Sequence, residues 1–255
     1  MRKMQFILLC GLVLLVGPSA SAQSVTWSAP QNVTGASNVL TGNIFEAYGF
    51  GPGGLASTTI NGVTFSPFDA TDLYSTTFGN LTLTSGAVVG GASVGAFSSL
   101  SAPFTGLPSD YQLLLGSSAY TDCVSCSAPL DVTLSGLTIG TAYEIEVWVN
   151  DSRGTVGPYR TETLSGTTPA TLDFNTGTEG GVGQYVIGTF TAGAPTESFA
   201  ITGVDCCGAT FPNTASQING IEVLTPEPST MTLLGLGVLA LAFLGRRQSG
   251  PVRSA

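Results

Sequence analysis

The sequence predicts an all-β fold, an antiparallel β-sandwich of jelly-roll type, carrying an N-terminal signal helix and a C-terminal transmembrane helix. Three observations lead there. Apolar residues alternate with polar ones at a period of two in many short runs, Gly, Pro, Ser and Thr separate the runs, and helical periodicity is missing between the two ends. Such a series of short strands buries its alternating faces by pairing into two packed sheets.

In chain order the runs are Val25–Trp27, Ile60–Phe65, Leu81–Leu83, Leu130–Leu134, Tyr143–Asn150, Tyr185–Thr191, Ser198–Thr202 and Ile218–Leu224. The fifth is the clearest. Tyr143, Ile145, Val147 and Val149 alternate with Glu144, Glu146, Trp148 and Asn150, so one set enters the core and the other faces outward. Asn61-Gly62 and Asn219-Gly220 stand near the starts of two runs and read as turns or bulges. Gly49 to Gly54 reads as a flexible, strand-poor loop and Gly86 to Gly95 as another small-residue stretch; neither is a domain linker, because apolar runs resume within a few residues. No internal repeat is present.

The segment Leu134-Ser-Gly-Leu137-Thr-Ile-Gly140-Thr-Ala-Tyr143 resembles the tyrosine corner of fibronectin type III domains and other sandwiches. The resemblance implies that the Tyr143 hydroxyl bonds back to the loop before its strand. From Asp131 onward, including Gly183 to Phe190 and Ile218 to Val223, the chain is similar to jelly-roll, galactose-binding-like modules.

The ends differ from this body. Arg2 and Lys3 precede an apolar run, Phe6 to Val16, closed by Gly17-Pro18 and followed by Ala20-Ser21-Ala22. A basic start, a short apolar stretch and small residues at −3 and −1 define a secretory signal peptide cut by signal peptidase after Ala22. Eleven apolar residues are too few for a spanning helix, which needs about 20. At the other end, Ser229 to Gly245 is free of charge and rich in Leu and Gly. At about 1.5 Å per residue it reaches roughly 25 Å, just enough to span. Arg246 and Arg247 then resist translocation, leaving the body outside. The organisation is therefore a signal peptide at 1–22, a β-sandwich ectodomain at 23–224, a sorting segment at 225–247 with its helix at 229–245, and a short tail at 248–255.

Pro226-Glu227-Pro228, the apolar helix and Arg246-Arg247, in that order, resemble the PEP-CTERM sorting signal of Gram-negative, exopolysaccharide-producing bacteria. The resemblance implies recognition by an exosortase, a membrane-embedded cysteine protease-transpeptidase that cuts near the motif. It implies an inner-membrane intermediate and then a cell-surface or extracellular-matrix destination. It covers Thr225 to Arg247 and says nothing about the body.

Between the ends, 203 residues carry fifteen acidic and two basic side chains, Arg153 and Arg160, a net charge of −13. Only 9% of the whole chain is charged, which excludes a coiled coil or a charge-driven disordered chain. The acidic balance excludes a nucleic-acid partner, since binding phosphate takes clustered cations. The chain has no His, and its one Lys, Lys3, lies in the signal peptide. Ser–His, Cys–His, Ser–Lys and Schiff-base catalysis are thereby removed, together with His-ligated zinc. The same lack makes Gly91-Ala-Ser93-Val-Gly95 a false nucleophile elbow. Gly49-Phe-Gly51-Pro-Gly-Gly54 is likewise a false dinucleotide fingerprint, with no strand–helix unit around it.

Cys10 leaves with the signal peptide, and Cys123, Cys126, Cys206 and Cys207 remain. An even count in an exported chain reads as disulfides. Adjacent Cys206 and Cys207 are badly spaced to bridge each other, so two bridges between the two cysteine loops are expected. A Cys123–Cys126 redox pair lacks its helical context, and a four-thiolate zinc site suffers from awkward spacing in an oxidising compartment.

What chemistry survives is carboxylate chemistry. Glu144 and Glu146 share a strand face about 7 Å apart, within glycosidase range, beside Trp148 as a sugar platform. The plainer reading is a solvated strand face. Asp69, Asp72 and Asp151 offer oxygen ligands for Ca²⁺, though no calcium-loop spacing is present and ordinary Asx turns are the plainer reading, and no other metal or cofactor is expected. The expected function is a non-enzymatic, transiently anchored surface or matrix protein. Carbohydrate binding through Trp148, with an exopolysaccharide as partner, is a second expectation, and a carboxylate-based glycoside hydrolase is the alternative.

Overall fold

The structure, a computed structural model, describes residues 24–71, 73–121, 128–154, 160–204 and 215–225. In chain order the strands are β1 (Thr26–Trp27), β2 (Gln31–Asn32), β3 (Asn43–Gly51), β4 (Thr58–Ile60), β5 (Val63–Asp69), β6 (Leu73–Phe78), β7 (Leu81–Ala92) and β8 (Ser118–Thr121). They continue as β9 (Leu130–Leu134), β10 (Ala142–Val149), β11 (Thr161–Leu164), β12 (Ala170–Asp173), β13 (Gln184–Thr191), β14 (Glu197–Val204), β15 (Gln217–Ile218) and β16 (Gly220–Thr225). A single α-helix among the described residues, α1 (Ser109–Gly116), and two short 3₁₀ turns complete the set.

The strands form two eight-stranded sheets in a sandwich-like arrangement. The first runs β1-β13-β10-β16-β3-β5-β4, with β2 also on β13; the second runs β12-β11-β14-β9-β7-β8-β15, with β6 also on β7. The period-two pattern fixes what lies between them. Ile145, Val147 and Val149 of β10 meet Leu81 and Leu83 of β7, Leu130 and Val132 of β9 and Ile201 of β14 in one buried cluster. Tyr143 completes the corner, where its hydroxyl accepts a bond from the Thr138 amide at 2.9 Å.

Local chemistry places the turns. Ile60 pairs with Val63 across Asn61-Gly62, which hold φ of 51° and 83°. That two-residue turn matches the right-handed twist of the strands it joins and favours Asn-Gly. The structure corrects three expectations. Pairing is not wholly antiparallel, because β3 and β5 run parallel, Tyr48 beside Ser66. Gly49 to Gly51 close strand β3 instead of opening a loop. Glycine is required across from them: a Cβ on Gly91 of β7 would lie 2.6 Å from the Pro52 amide nitrogen and 2.7 Å from the Gly51 carbonyl carbon. Third, a helix, α1, stands where the sequence shows no helical periodicity; its eight residues, SDYQLLLG, are too few to establish a 3.6-residue period.

The helix matters because it caps the first sheet. Tyr111, Leu114 and Leu115 of α1 join Val39, Phe65, Phe104, Trp148 and Tyr185 in a second apolar cluster on the sheet's outer face. No helix among the described residues is long and apolar enough to cross a membrane. The signal peptide and the 229–245 segment lie outside the described residues.

Candidate functional site

Strand β10 directs Glu144, Glu146 and Trp148 to the outer face, as alternation requires, but the second apolar cluster covers that face. Trp148 is completely buried. Its indole N–H donates to the Tyr111 hydroxyl at 2.8 Å, and its ring meets Phe65 edge-on at 5.6 Å between centroids. Trp148 is therefore a packing residue, and its expected role as an exposed sugar platform is corrected.

Glu146 is also sealed, so the expected solvated carboxylate pair is corrected too. Register places Glu146 directly opposite Glu222 of β16, with Ile187 on its other flank. One Glu146 oxygen accepts the Leu40 amide at 3.1 Å. Its other oxygen and both oxygens of Glu222 have no hydrogen-bond partner among the described residues. Burial pushes Glu146 up to about 9, the Leu40 bond opposing and Glu222 and Glu144 reinforcing the rise. Burial raises Glu222 to about 8, with Glu144 adding to it. Tyr111 and Tyr185, which face the pair from α1 and β13, are raised for the same main reason. Buried under the apolar layer, with no cation beside them among the described residues, both groups are shifted toward the protonated form.

Glu144 is half-buried and borders a shallow groove of about 390 Å³ with Ser24, Thr26, Tyr143, Thr167 and Phe190. No second carboxylate lines that groove among the described residues. Among the described residues no pair of carboxylates faces across an open cleft, the geometry that glycoside hydrolysis needs.

Asp151 lies at the end of β10 and is wholly buried. Arg153 donates to it through Nε at 2.8 Å and Nη2 at 2.6 Å, and Arg160 through Nη1 at 2.8 Å. The Arg160 guanidinium lies 4.2 Å over the Phe174 ring and that of Arg153 4.8 Å over Phe97. Both cations of the body thus converge on one carboxylate, which corrects Asp151 as a calcium ligand. Asp69 is exposed and accepts the Thr71 hydroxyl, an ordinary local turn bond, while Asp72 lies outside the described residues. Among the described residues, no group of three or more His, Cys, Asp or Glu side chains gathers to hold a metal.

Beside the clamp, the Asn150 amide donates to the carbonyls of Phe97 and Leu115, and Asn219 to those of Leu115 and Ser117. Glu162 accepts the Gln217 amide at 3.0 Å, and burial raises its acid to about 8 against the pull of that bond and of Arg160. Sequence reasoning missed Glu222, Glu162 and Tyr111. Glu222 had a legible signal, since it alternates with Ile221 and Val223; its facing partner became visible only with the pairing of β10 and β16.

Ala20, Ala22, Cys123, Cys126, Cys206, Cys207, Pro226, Glu227, Pro228, Arg246 and Arg247 lie outside the described residues. The flanks of the two cysteine segments do meet: the Thr121 amide donates to the Ser216 carbonyl at 2.9 Å and the Ser216 hydroxyl to the Ala128 carbonyl at 3.3 Å.

Fold and site together define a β-sandwich whose buried acids have no open cleft and whose last strand, β16, is held between β10 and β3. Residues 224–248, directly at the end of that strand, match the PEP-CTERM protein-sorting motif. The motif marks an exported protein that is sorted at the membrane by an exosortase. No curated protein matches the chain in sequence. Among solved structures, the chain is similar to the ANXUR1 extracellular domain from Arabidopsis thaliana, at 14% identity and a TM-score of 0.44 over 72% of this chain and 48% of that one. It is also similar to the ANX2 ectodomain from the same plant, at 13% identity and a TM-score of 0.43 over 73% and 50%. The chain spans about half the length of these structures.

Proposed function

We propose that the chain is a non-enzymatic surface or matrix protein, a β-sandwich exported by the general pathway, held briefly at the inner membrane by 229–245 and then processed by an exosortase. The observation that carries this reading is the position of the sorting motif. The match begins at Leu224, within the last two residues of β16, and β16 is an interior strand of its sheet. A cut at Pro226 to Pro228 would leave every described strand intact, so release and a stable fold are compatible. The sealed Glu146–Glu222 pair supports a binding or structural role over hydrolysis. The likeness of the body to jelly-roll, galactose-binding-like modules belongs to the same proposal and has the two-sheet arrangement in its support. So do two disulfides between the cysteine segments, whose flanks are hydrogen-bonded together.

Fractionating cells with and without the exosortase tests the reading. The protein is expected at the surface or in the medium when the enzyme is present and in the inner membrane when it is not. Equal release from both strains would overturn it.

A further inference from the structure

The two sheets differ in what covers them. An apolar layer caps the first sheet's outer face, whereas on the second Thr77, Thr84, Thr171, Ser198 and Thr202 are exposed. Alternation has already sent Leu83, Val132, Leu164 and Ile201 inward. Their neighbours on the outer face are hydroxyls, brought into register across six strands. Thr77 pairs with Thr82 and Ser75 with Thr84 between β6 and β7, Thr82 with Thr133 on β9, and Thr133 with Ser198 on β14. At the other end Thr202 pairs with Thr163 and Thr163 with Thr171, carrying the pattern onto β11 and β12. Several pairs are hydrogen-bonded: Thr77–Thr82 and Thr133–Ser198 at 2.8 Å, Thr163–Thr171 at 2.9 Å and Ser75–Thr84 at 3.2 Å.

We propose that this hydroxyl-covered face of the second sheet is a docking surface for a neutral polysaccharide chain. A hydroxyl has one donor and two acceptor lone pairs, so a bonded pair keeps one donor and three acceptors for a ligand. Strand geometry spaces them about 4.8 Å apart across the sheet and roughly 6.7 Å along it. A polyol with alternating donors and acceptors complements such a grid, and the Thr methyls meet its C–H faces. Charge selects the neutral polymer. Asp131 and the edge residue Asp173 are the charges on the face among the described residues, there is no cation, and the body carries −13. Anionic polymers are repelled at low salt. A second copy of this chain fits poorly, because stable protein interfaces have an apolar core. The pairs that define this face are Thr and Ser, with no large apolar side chain among them. Each contact is weak, and affinity accumulates over many repeats of one chain. The proposal rests on the surface-protein reading only for where the partner is met.

The test uses the protein released by cells, run in native gels cast with dextran, hydroxyethylcellulose, galactomannan or alginate. Retardation is expected in at least one neutral gel and none in alginate. T84V/T133V/T163V/T202V keeps β-branched side chains while removing four hydroxyls, and should weaken the retardation about tenfold. The matching four-fold Thr→Ser variant should retain it. Should the Val variant fail to melt cooperatively, the single variants at exposed Thr84 and Thr202 are each expected to weaken binding while the Ser forms do not. Migration unchanged in all three neutral gels, a preference for alginate, or equal binding by the Val variants would overturn the proposal. Concentration-dependent self-association lost in those variants would also overturn it and assign the face to a second copy. These outcomes leave exosortase processing untouched, so the two proposals fail separately.

Discussion

Because Glu146 and Glu222 face each other under an apolar cap, folding should cost more as pH rises. Their acids ionise near 4.5 when exposed and near 9 and 8 when folded. Between these limits the unfolded chain is ionised while the native pair holds its protons, so the native state binds more protons and stability falls with rising pH. The contribution is fully present below pH 4.5 and is lost as pH climbs through 8 to 9. One unit corresponds to about 1.36 kcal/mol, so the rise in Glu222 alone represents about 5 kcal/mol across that window. Glu162 acts in the same direction, its folded acid lying at about 8. The variant E222Q isolates one group: a neutral amide cannot ionise, and it offers Glu146 a donor. Urea unfolding at pH 5, 6, 7 and 8 gives the slope. E222Q should flatten it by about 1.4 kcal/mol per pH unit and leave the variant more stable than the parent at pH 8. Identical slopes in the two proteins, or a parent more stable at pH 8 than at pH 5, would refute the buried neutral pair.

Other perturbations bear on other parts of the account. Asp151→Asn removes the carboxylate that pairs with buried Arg160 and should cost about 3–5 kcal/mol of unfolding free energy in urea; a cost near zero would contradict the clamp. Tyr143→Phe takes away the acceptor of the Thr138 amide and should cost about 1–2 kcal/mol in the same assay, with no change in surface location. If the cysteine segments are doubly bridged, the released protein should show no thiol alkylation until it is reduced. Alkylation of Cys123 or Cys206 without reductant would end that proposal.

Much of the sandwich was legible because it rests on a local pattern. Leu130–Leu134 and the alternation from Tyr143 to Val149 appear as strands β9 and β10, and the corner bond at Tyr143 forms as its resemblance implied. Period two states which face a residue takes and is silent about what covers that face. Alternation predicts Trp148 and Glu146 outward and they are outward, yet α1, the β4–β5 hairpin and the Val39–Leu40 segment enclose them. That cover comes from residues far away in sequence, one of them a helix too short to declare itself. Glycine misled in the opposite direction: Gly49 and Gly51 resemble loop residues, but both lie in β3, where Leu114 and Leu55 pack closely against them. The second sheet's hydroxyl face was equally hidden, since each Thr is unremarkable in its own strand and the grid exists only through register.

The central claim is a two-sheet body handed to an exosortase at the end of its last strand. Intact-mass analysis of the chain from cells with and without that enzyme tests it most directly. With the enzyme, the surface or medium fraction should contain a chain beginning at Gln23 and truncated near Pro226 to Pro228. Without it, the membrane fraction should contain a chain continuing through Arg247 to Ala255. The same C-terminal mass in both strains would contradict the account.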